Sequence, residues 1–481
     1  MKRRFTFVDL FSGIGGFRIA LHRCGGICKG FSEVDKNAIE TYTNNFLQKD
    51  DSEWNLGDIQ KVNKLPEFVD MLVGGVPCQS WSVAGKMRGF DDPRGKLWED
   101  TIRLVKINQP KVFIFENVKG LADPRNRNNL NLIIKKLELA GYNVIPPQLL
   151  NSFDFGLPQN RARIFIVGFR NDITIPNEFK YPNKLNKSKF IYDFIKGIEK
   201  NNIPKLKFKT SELFEGKVPM SRNSFQKDDE LNDFFVFCDT RNGHTSIHSW
   251  DIVDTTNREK QIGMTFLKNR RKQKYGNRDG NPLSLADLQN LISDIKSDEL
   301  SNLINKKILR RTIEGKYGLV NTKNSSGING IYRVYLPNSN IFSTLTATGT
   351  RDYIATQTIT GTTPEEYRHN FINDIYKKGN YRQLNPREAG LLQGFPKSFK
   401  YHQKTTVAHK QFGNAVSVNV VQNLMKSIIK TGIFDKIGDN TNNDYLRNQT
   451  NYSGETRSLG QIYLSQESQI QYPKVRPTQN I

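Results

Sequence analysis

The chain has 481 residues, 36% hydrophobic and 25% charged, which is too long for one ordinary domain and fits two or three. Its 71 Lys and Arg against 48 Asp and Glu leave a net charge of +23, a balance that favours polyanionic partners. Its four cysteines, Cys24, Cys28, Cys78 and Cys238, exclude a disulfide framework and suit a reducing cytoplasm, and no apolar run approaches the length that spans a membrane.

Met1-Lys2-Arg3-Arg4 opens as a signal peptide does, but Asp9 interrupts the apolar stretch that follows and no small-residue cleavage site appears. Phe5 to Leu10 is a short apolar run, as expected of a buried strand. Phe17, Ala20, Leu21 and Cys24 then fall at i, i+3, i+4 and i+7, a helix face. A second unit follows, extended over Gly30 to Val34 and helical through Ala38, Ile39, Tyr42 and Phe46. Val69 to Val73 and Val112 to Phe115 read as strands, with a helix through Leu97, Ile102 and Val105 between them. Leu130, Ile133, Ile134 and Leu137 make another helix face, and Ile164 to Val167 a later strand. Strands alternating with helices predict a mostly parallel α/β sheet, whose ligands sit at the carboxyl ends of its strands. Cys24 and Cys28 have no second pair near them and are read as helix and strand packing, so no metal site is expected.

After about Arg170 the pattern changes. The stretch from Asn171 to roughly Tyr381 is rich in Asn, Lys, Ser and Gly, with weak periodicity. It holds five basic residues in the seven of Lys268-Asn-Arg-Arg-Lys-Gln-Lys274, either a solvated face or a phosphate contact through Lys268, Arg270 and Arg271. Patterning returns from Arg382 to Ile433, where Val416, Val420, Leu424 and Ile428 mark a helix. The tail from Gly438 is polar, rich in Asn, Gln and Ser, and is expected to be poorly ordered. The expected division is 1–175, 176–400, a returning helix in 401–437, and a tail in 438–481.

Four motifs carry chemistry. Phe7-Val-Asp-Leu-Phe-Ser-Gly-Ile-Gly-Gly-Phe17 is a strand, a glycine-rich turn and a helix start, where a ligand can approach the backbone and meet free N–H groups. Glu33 and Asp58 lie at later strand ends, where a carboxylate can grip a ribose diol or accept from an adenine amino group; each also reads as an ordinary helix cap. Gly74-Gly-Val-Pro-Cys-Gln-Ser-Trp-Ser82 puts the thiol of Cys78, a far better nucleophile than a hydroxyl at neutral pH, in a loop after a strand. Phe115-Glu-Asn-Val118 ends another strand with a carboxyl group. Arg161 and Arg163, at i and i+2 in Gln159-Asn-Arg-Ala-Arg163, point the same way from an extended chain, a ligand-holding pair or a surface basic pair.

This ordered set resembles the DNA cytosine-5 methyltransferase family in its bacterial restriction–modification form. The likeness covers roughly Phe5 to Arg170 and Arg382 to about Ile433, including Asp92-Pro-Arg-Gly-Lys-Leu97, Arg382-Gln-Leu-Asn-Pro-Arg-Glu388 and Gln411-Phe-Gly-Asn-Ala-Val416. It implies a Rossmann-like, S-adenosyl-L-methionine-dependent methyltransferase sheet with a smaller, irregular DNA-recognition domain. Phe11, Gly13, Gly15, Gly16, Glu33, Asp58, Ile59, Pro77, Leu97 and Asn414 would line the cofactor pocket. Cys78 would attack C6 of a flipped cytosine in double-stranded DNA, while Glu116, Arg161 and Arg163 hold and polarise the base. Gln79, Ser82, Thr344 and Leu345 would meet DNA; Ala84 stands where some members carry serine, which puts one such contact in doubt. The implied protein is a cytoplasmic monomer whose cognate restriction endonuclease acts separately. Three alternatives stay open: a transfer-RNA methyltransferase on the same scaffold, a non-catalytic DNA-binding homologue, and a nucleotide-dependent oxidoreductase suggested by the glycine turn alone.

Overall fold

In the computed structural model the described residues are 5–47, 53–77, 96–185, 189–200, 234–236, 247–278, 280–320, 333–347 and 352–435. Residues up to Ile433 belong to one compact unit. Its first part alternates β1 (Phe5–Leu10), α1 (Gly16–Arg23), β2 (Gly26–Ser32), α2 (Lys36–Phe46), β3 (Trp54–Asn55), β4 (Met71–Gly75), α3 (Leu97–Asn108), β5 (Val112–Val118), α4 (Arg127–Leu139), β6 (Tyr142–Asn151) and β7 (Ala162–Arg170). The strands form one sheet in the order β3-β2-β1-β4-β5-β7-β6, parallel except that β7 runs antiparallel to both its neighbours.

The sequence dictates this arrangement directly. Val112-Phe-Ile-Phe115 is apolar at consecutive positions because a parallel strand is covered on both faces, and all four side chains are fully buried. Trp98 on α3 and Leu137 on α4 pack into the same core as Phe113 and Phe115. The α/β expectation therefore holds, with two differences. The second strand begins four residues earlier than expected, at Gly26, because Cys28 continues the buried face. The edge strand β6 has no clean alternation: Pro146 and Pro147 sit where its register against β7 shifts, a bulge on an edge strand that tolerates the missing N–H groups.

The later region is more ordered than its composition suggests. A helical module contains α5 (Ser249–Ile252), α6 (Asn257–Asn269), α7 (Leu285–Gln289), α8 (Ser297–Asn305) and the hairpin β9 (Leu309–Arg311)–β10 (Tyr317–Leu319). It encloses its own apolar core around Trp250, Ile262, Phe266, Leu288 and Leu303. A four-stranded sheet runs in the order β13 (Tyr381–Arg382), β12 (Asp352–Ala355), β11 (Arg333–Tyr335), β8 (Phe234–Val236), packed by α9 (Pro364–Asn370) and the helical turn after it. The chain then returns through α10 (Pro386–Leu392), α11 (Thr405–Asn414) and α12 (Val418–Lys430). The side of α12 carrying Val420, Leu424 and Ile428 is buried, and the helix packs along α1. Among the described residues no helix is long and apolar enough to cross a membrane.

Candidate active site

Four strand ends meet on one edge of the large sheet. Leu10 is in register with Ser32 on one side and Gly74 on the other, and Gly75 with Glu116. Because β7 runs the other way, its first residues arrive at the same edge, with Arg163 opposite Val118. Strand order also reverses here, β1 leading out to β2 and β4 lying on its other side, which is where an open α/β sheet leaves a crevice.

On the β1 side the backbone turns sharply: Phe11 (φ 54°), Gly13 (φ 54°) and Gly15 (φ 85°) all adopt left-handed conformations before α1 begins. Space around the missing Cβ of Gly13 is open, so a ligand can lie against the peptide. Gly16 is constrained from the other side, because a Cβ there would come 2.8 Å from Val416 Cγ1. Glu33 braces the turn. Its Oε2 accepts from the Gly13 N–H at 2.9 Å, and its Oε1 accepts from the N–H groups of Val34 (2.7 Å) and Asp35 (2.9 Å). Three of the carboxylate's roughly four acceptor positions are thus taken, leaving one for a ligand hydroxyl. Asp58 caps the short turn Ile59–Lys61 through the Gln60 N–H at 3.0 Å, beside Gly57, whose Cβ position is also open. Pro77 and Leu97 are half-buried on the β4 side and Asn414 is exposed at the end of α11. Ile59 differs from expectation: it is 2% exposed in the main core, so its side chain is a packing residue there.

This donor set fits an adenosine-bearing ligand: open glycine backbone, peptide N–H groups at a helix start, and two carboxylates on neighbouring loops. Asp9, whose charge was expected only to break an apolar run, lies fully buried beneath the turn, near Arg18 of α1. Burial pushes its carboxyl pKa well up, against the pull of Arg18. Arg18 in turn pairs with Glu53.

On the β4–β5 side, Glu116 and Arg163 meet at 3.0 Å, their side chains only 12% and 15% exposed. Burial raises the Glu116 pKa, and the guanidinium groups of Arg163 and then Arg161 pull it back without cancelling the rise. A carboxyl in this state holds its proton to higher pH than a free glutamate. Glu116 also faces Gly75, where a Cβ would stand 3.4 Å from its Oε2. The next residue, Asn117, points to the opposite face, is buried, and donates from Nδ2 to the Val76 carbonyl at 3.1 Å. It thereby fixes the chain one residue before Pro77. Sequence reasoning gave Asn117 no role, although its place beside Glu116 at a strand end was a usable signal. Cys78, Gln79, Ser82 and Ala84 lie outside the described residues.

Arg161 corrects an expectation. It was paired with Arg163 as a base-holding residue, but its guanidinium is buried and committed to backbone. Nη1 donates to the Leu345 carbonyl (3.0 Å), and Nη2 to those of Gly413 (3.1 Å) and Ala415 (2.7 Å). It joins the start of β7 to two segments about 180 and 250 residues away. The neighbouring backbone repeats the tie: the Asn160 N–H donates to Phe342 O at 2.8 Å, and the Thr344 hydroxyl donates to Asn160 O. Leu345 is likewise buried, 4% exposed, so its side chain packs rather than meeting DNA, while Thr344 is half-buried. Of the three cations expected at phosphates, Lys268 and Arg271 are exposed, but Arg270 is 2% exposed, drawn in where α6 packs on the module core. Cys24 caps α1, and Cys28 is buried in β2 with its thiol toward Gly30 O.

Comparison with known proteins bears on this geometry. The family model for C-5 cytosine-specific DNA methylases matches residues 5–430. The chain is 45% identical over 438 residues to the type II methyltransferase M.HgiBI of Herpetosiphon aurantiacus, covering 90% of this chain and 99% of that one. It is 33% identical over 456 residues to the type II methyltransferase M.BanI of Aneurinibacillus aneurinilyticus, with 90% and 98% covered. With the type II methyltransferase M.HhaI of Haemophilus parahaemolyticus, identity is 30% over 424 residues, with 88% and 93% covered.

Proposed function

The chain belongs to the C-5 cytosine-specific DNA methylase family, and on that premise we propose that it methylates C5 of a cytosine within a specific sequence of double-stranded DNA. The observation that carries the chemistry is the Glu116–Arg163 pair, held at the same sheet edge as the strand that leads into Pro77-Cys78. The cofactor assigned to this reaction is S-adenosyl-L-methionine; when bound, it supplies an electrophilic methyl carbon on a positively charged sulfur. Gly13 and the start of α1, with Glu33 and Asp58, are the residues that would hold it.

The cytosine must leave the base stack, because C5 and C6 are inaccessible inside a duplex. Its ring is a poor electrophile until N3 is protonated or hydrogen-bonded. A Glu116 carboxyl that keeps its proton can donate at N3 while the Cys78 thiolate forms an S–C6 bond, and the ring electrons move toward C5. Arg163 orients that carboxyl and offers a cation to the base carbonyl oxygen. After methylation, the C5 proton leaves to a base, the N3 proton returns to Glu116 and the S–C6 bond breaks, restoring the ring, the carboxyl and the thiolate. Arg161 acts at one remove, through the backbone it holds.

The named relatives are type II methyltransferases, which supports a protective methylase working beside a separate cognate endonuclease. Flipping one base requires one chain, so a monomer suffices, and a DNA substrate with few cysteines fits a cytoplasmic site. The test is Cys78→Ser: it should still bind duplex DNA and cofactor but lose nearly all methyl transfer. Full turnover by that variant would overturn the scheme.

A further inference from the structure

A glutamine near the end of a helix ordinarily faces water, yet Gln411 of α11 is only 8% exposed. It lies on the buried side of the helix with Ala408 and Phe412, and its amide crosses to α2. Nε2 donates to the Asn37 carbonyl at 2.9 Å, and Oε1 accepts from the Thr41 hydroxyl at 3.1 Å. Asn37 and Thr41 are at i and i+4, so they stand one above the other on one helix face, and a single amide spans the turn between them. Each end of the amide meets a partner of the matching kind, which fixes its orientation.

The turn held in this way is the one that supports Glu33. Asp35 caps α2, its Oδ1 accepting from the N–H groups of Asn37 (2.9 Å) and Ala38 (3.3 Å), while its own N–H donates to Glu33 Oε1 (2.9 Å). The Lys410 ammonium pairs with the other Asp35 oxygen at 3.2 Å, but these two side chains are 54% and 39% exposed, and such a pair contributes little. The buried tie between the two helices is therefore that of Gln411. From Gln411 the bonds run through Asn37 and Asp35 to Glu33, and from Glu33 Oε2 to the Gly13 N–H (2.9 Å). Two residues after Gln411, the Gly413 carbonyl accepts from Arg161, so α11 is itself anchored to the start of β7.

We infer that Gln411 is a positioning residue for the cofactor. It holds the first turn of α2 and thereby fixes the Glu33 carboxylate, whose remaining acceptor position is the one a ribose hydroxyl can use. The inference rests on the proposed use of S-adenosyl-L-methionine and adds to it a residue that acts through α2.

Calorimetric titration of the full-length protein with S-adenosyl-L-homocysteine, the demethylated form of the cofactor, reads affinity and stoichiometry without turnover. Gln411→Leu keeps a similar volume and removes both bonds. It should weaken binding about 10-fold, the order that two neutral hydrogen bonds carry, at unchanged stoichiometry. Its affinity for a DNA duplex, read by fluorescence anisotropy, should stay within about 2-fold of wild type. Thr41→Val removes one of the bonds and should weaken cofactor binding about 3-fold, whereas Thr41→Ser, which keeps the hydroxyl, should bind as wild type does. Wild-type affinity in both Gln411→Leu and Thr41→Val overturns the inference. So does a fall in stoichiometry at unchanged affinity, or an equal loss of duplex affinity, either of which marks a role in folding alone. Methylation of the duplex is scored separately: wild-type protein that binds the cofactor but never methylates takes down the activity proposal, while the titrations still decide the role of Gln411.

Discussion

Replacing Arg161 with methionine keeps most of the side chain's volume and removes its five donors. Three carbonyl oxygens, those of Leu345, Gly413 and Ala415, then lose a charged partner inside the protein. Hydrogen bonds from a charged group each contribute about 1.5–3 kcal/mol, so simple addition would give about 5–9 kcal/mol. Relief from holding a buried cation offsets part of this, leaving about 3–5 kcal/mol, the usual cost of breaking a buried ionic contact. At about 2 °C per kcal/mol for a unit this large, Arg161→Met should melt about 6–10 °C below wild type by scanning calorimetry. Arg161→Lys should fall between them, since one ammonium cannot reproduce the planar fork across three acceptors. A methionine variant melting within about 1 °C of wild type would refute the reasoning and show that the three contacts are marginal.

Four further outcomes follow from the structure. Glu116→Gln should retain DNA binding and lose about 10²- to 10⁴-fold in rate, the usual contribution of a positioned acid. Because Arg163 is the chief influence lowering the Glu116 pKa, Arg163→Met should raise it further, and the alkaline fall in the pH–rate profile should move to higher pH; a downward shift would reverse the assignment. Asp9 has a folded-state pKa raised by burial, so its favourable contribution is present below the unfolded value of about 3.9 and lost as pH rises through the folded one. Asp9→Asn should therefore melt with a flatter fall in stability as pH rises above about 3.9, and a steeper one would contradict this. Gly413→Ala should destabilise the protein by about 1–3 kcal/mol in chemical denaturation, because its Cβ would overlap the Thr346 carbonyl, a backbone group that cannot swing aside.

Much of the sheet was legible because its strands are covered on both faces, leaving continuous apolar runs such as Val112 to Phe115. The positions of Glu33 and Glu116 were legible for the same reason, a polar residue closing an apolar run at a strand end, whereas Asp58 lies three residues beyond the short strand β3 and caps the turn that follows. The edge strand β6 was not, since Pro146 and Pro147 erase its alternation. Nor was the ordered helical module, whose core residues are spread over short helices in a background of Asn, Lys and Ser. Arg161 and Arg163 look alike in a chain read two residues at a time. Only the fold supplies the carbonyls from residues 345, 413 and 415 that separate their roles. Arg270 and Leu345 show the converse: a basic run and a short polar–apolar pair say nothing of which member turns inward.

The proposed activity makes 5-methylcytosine in duplex DNA. Base-resolution bisulfite sequencing of DNA from a methylation-free host expressing the full chain tests it most directly. Protected cytosines are expected at one short recurring sequence, and none when Cys78→Ser is expressed in its place. An unprotected genome, from a folded protein that binds the duplex, would contradict it.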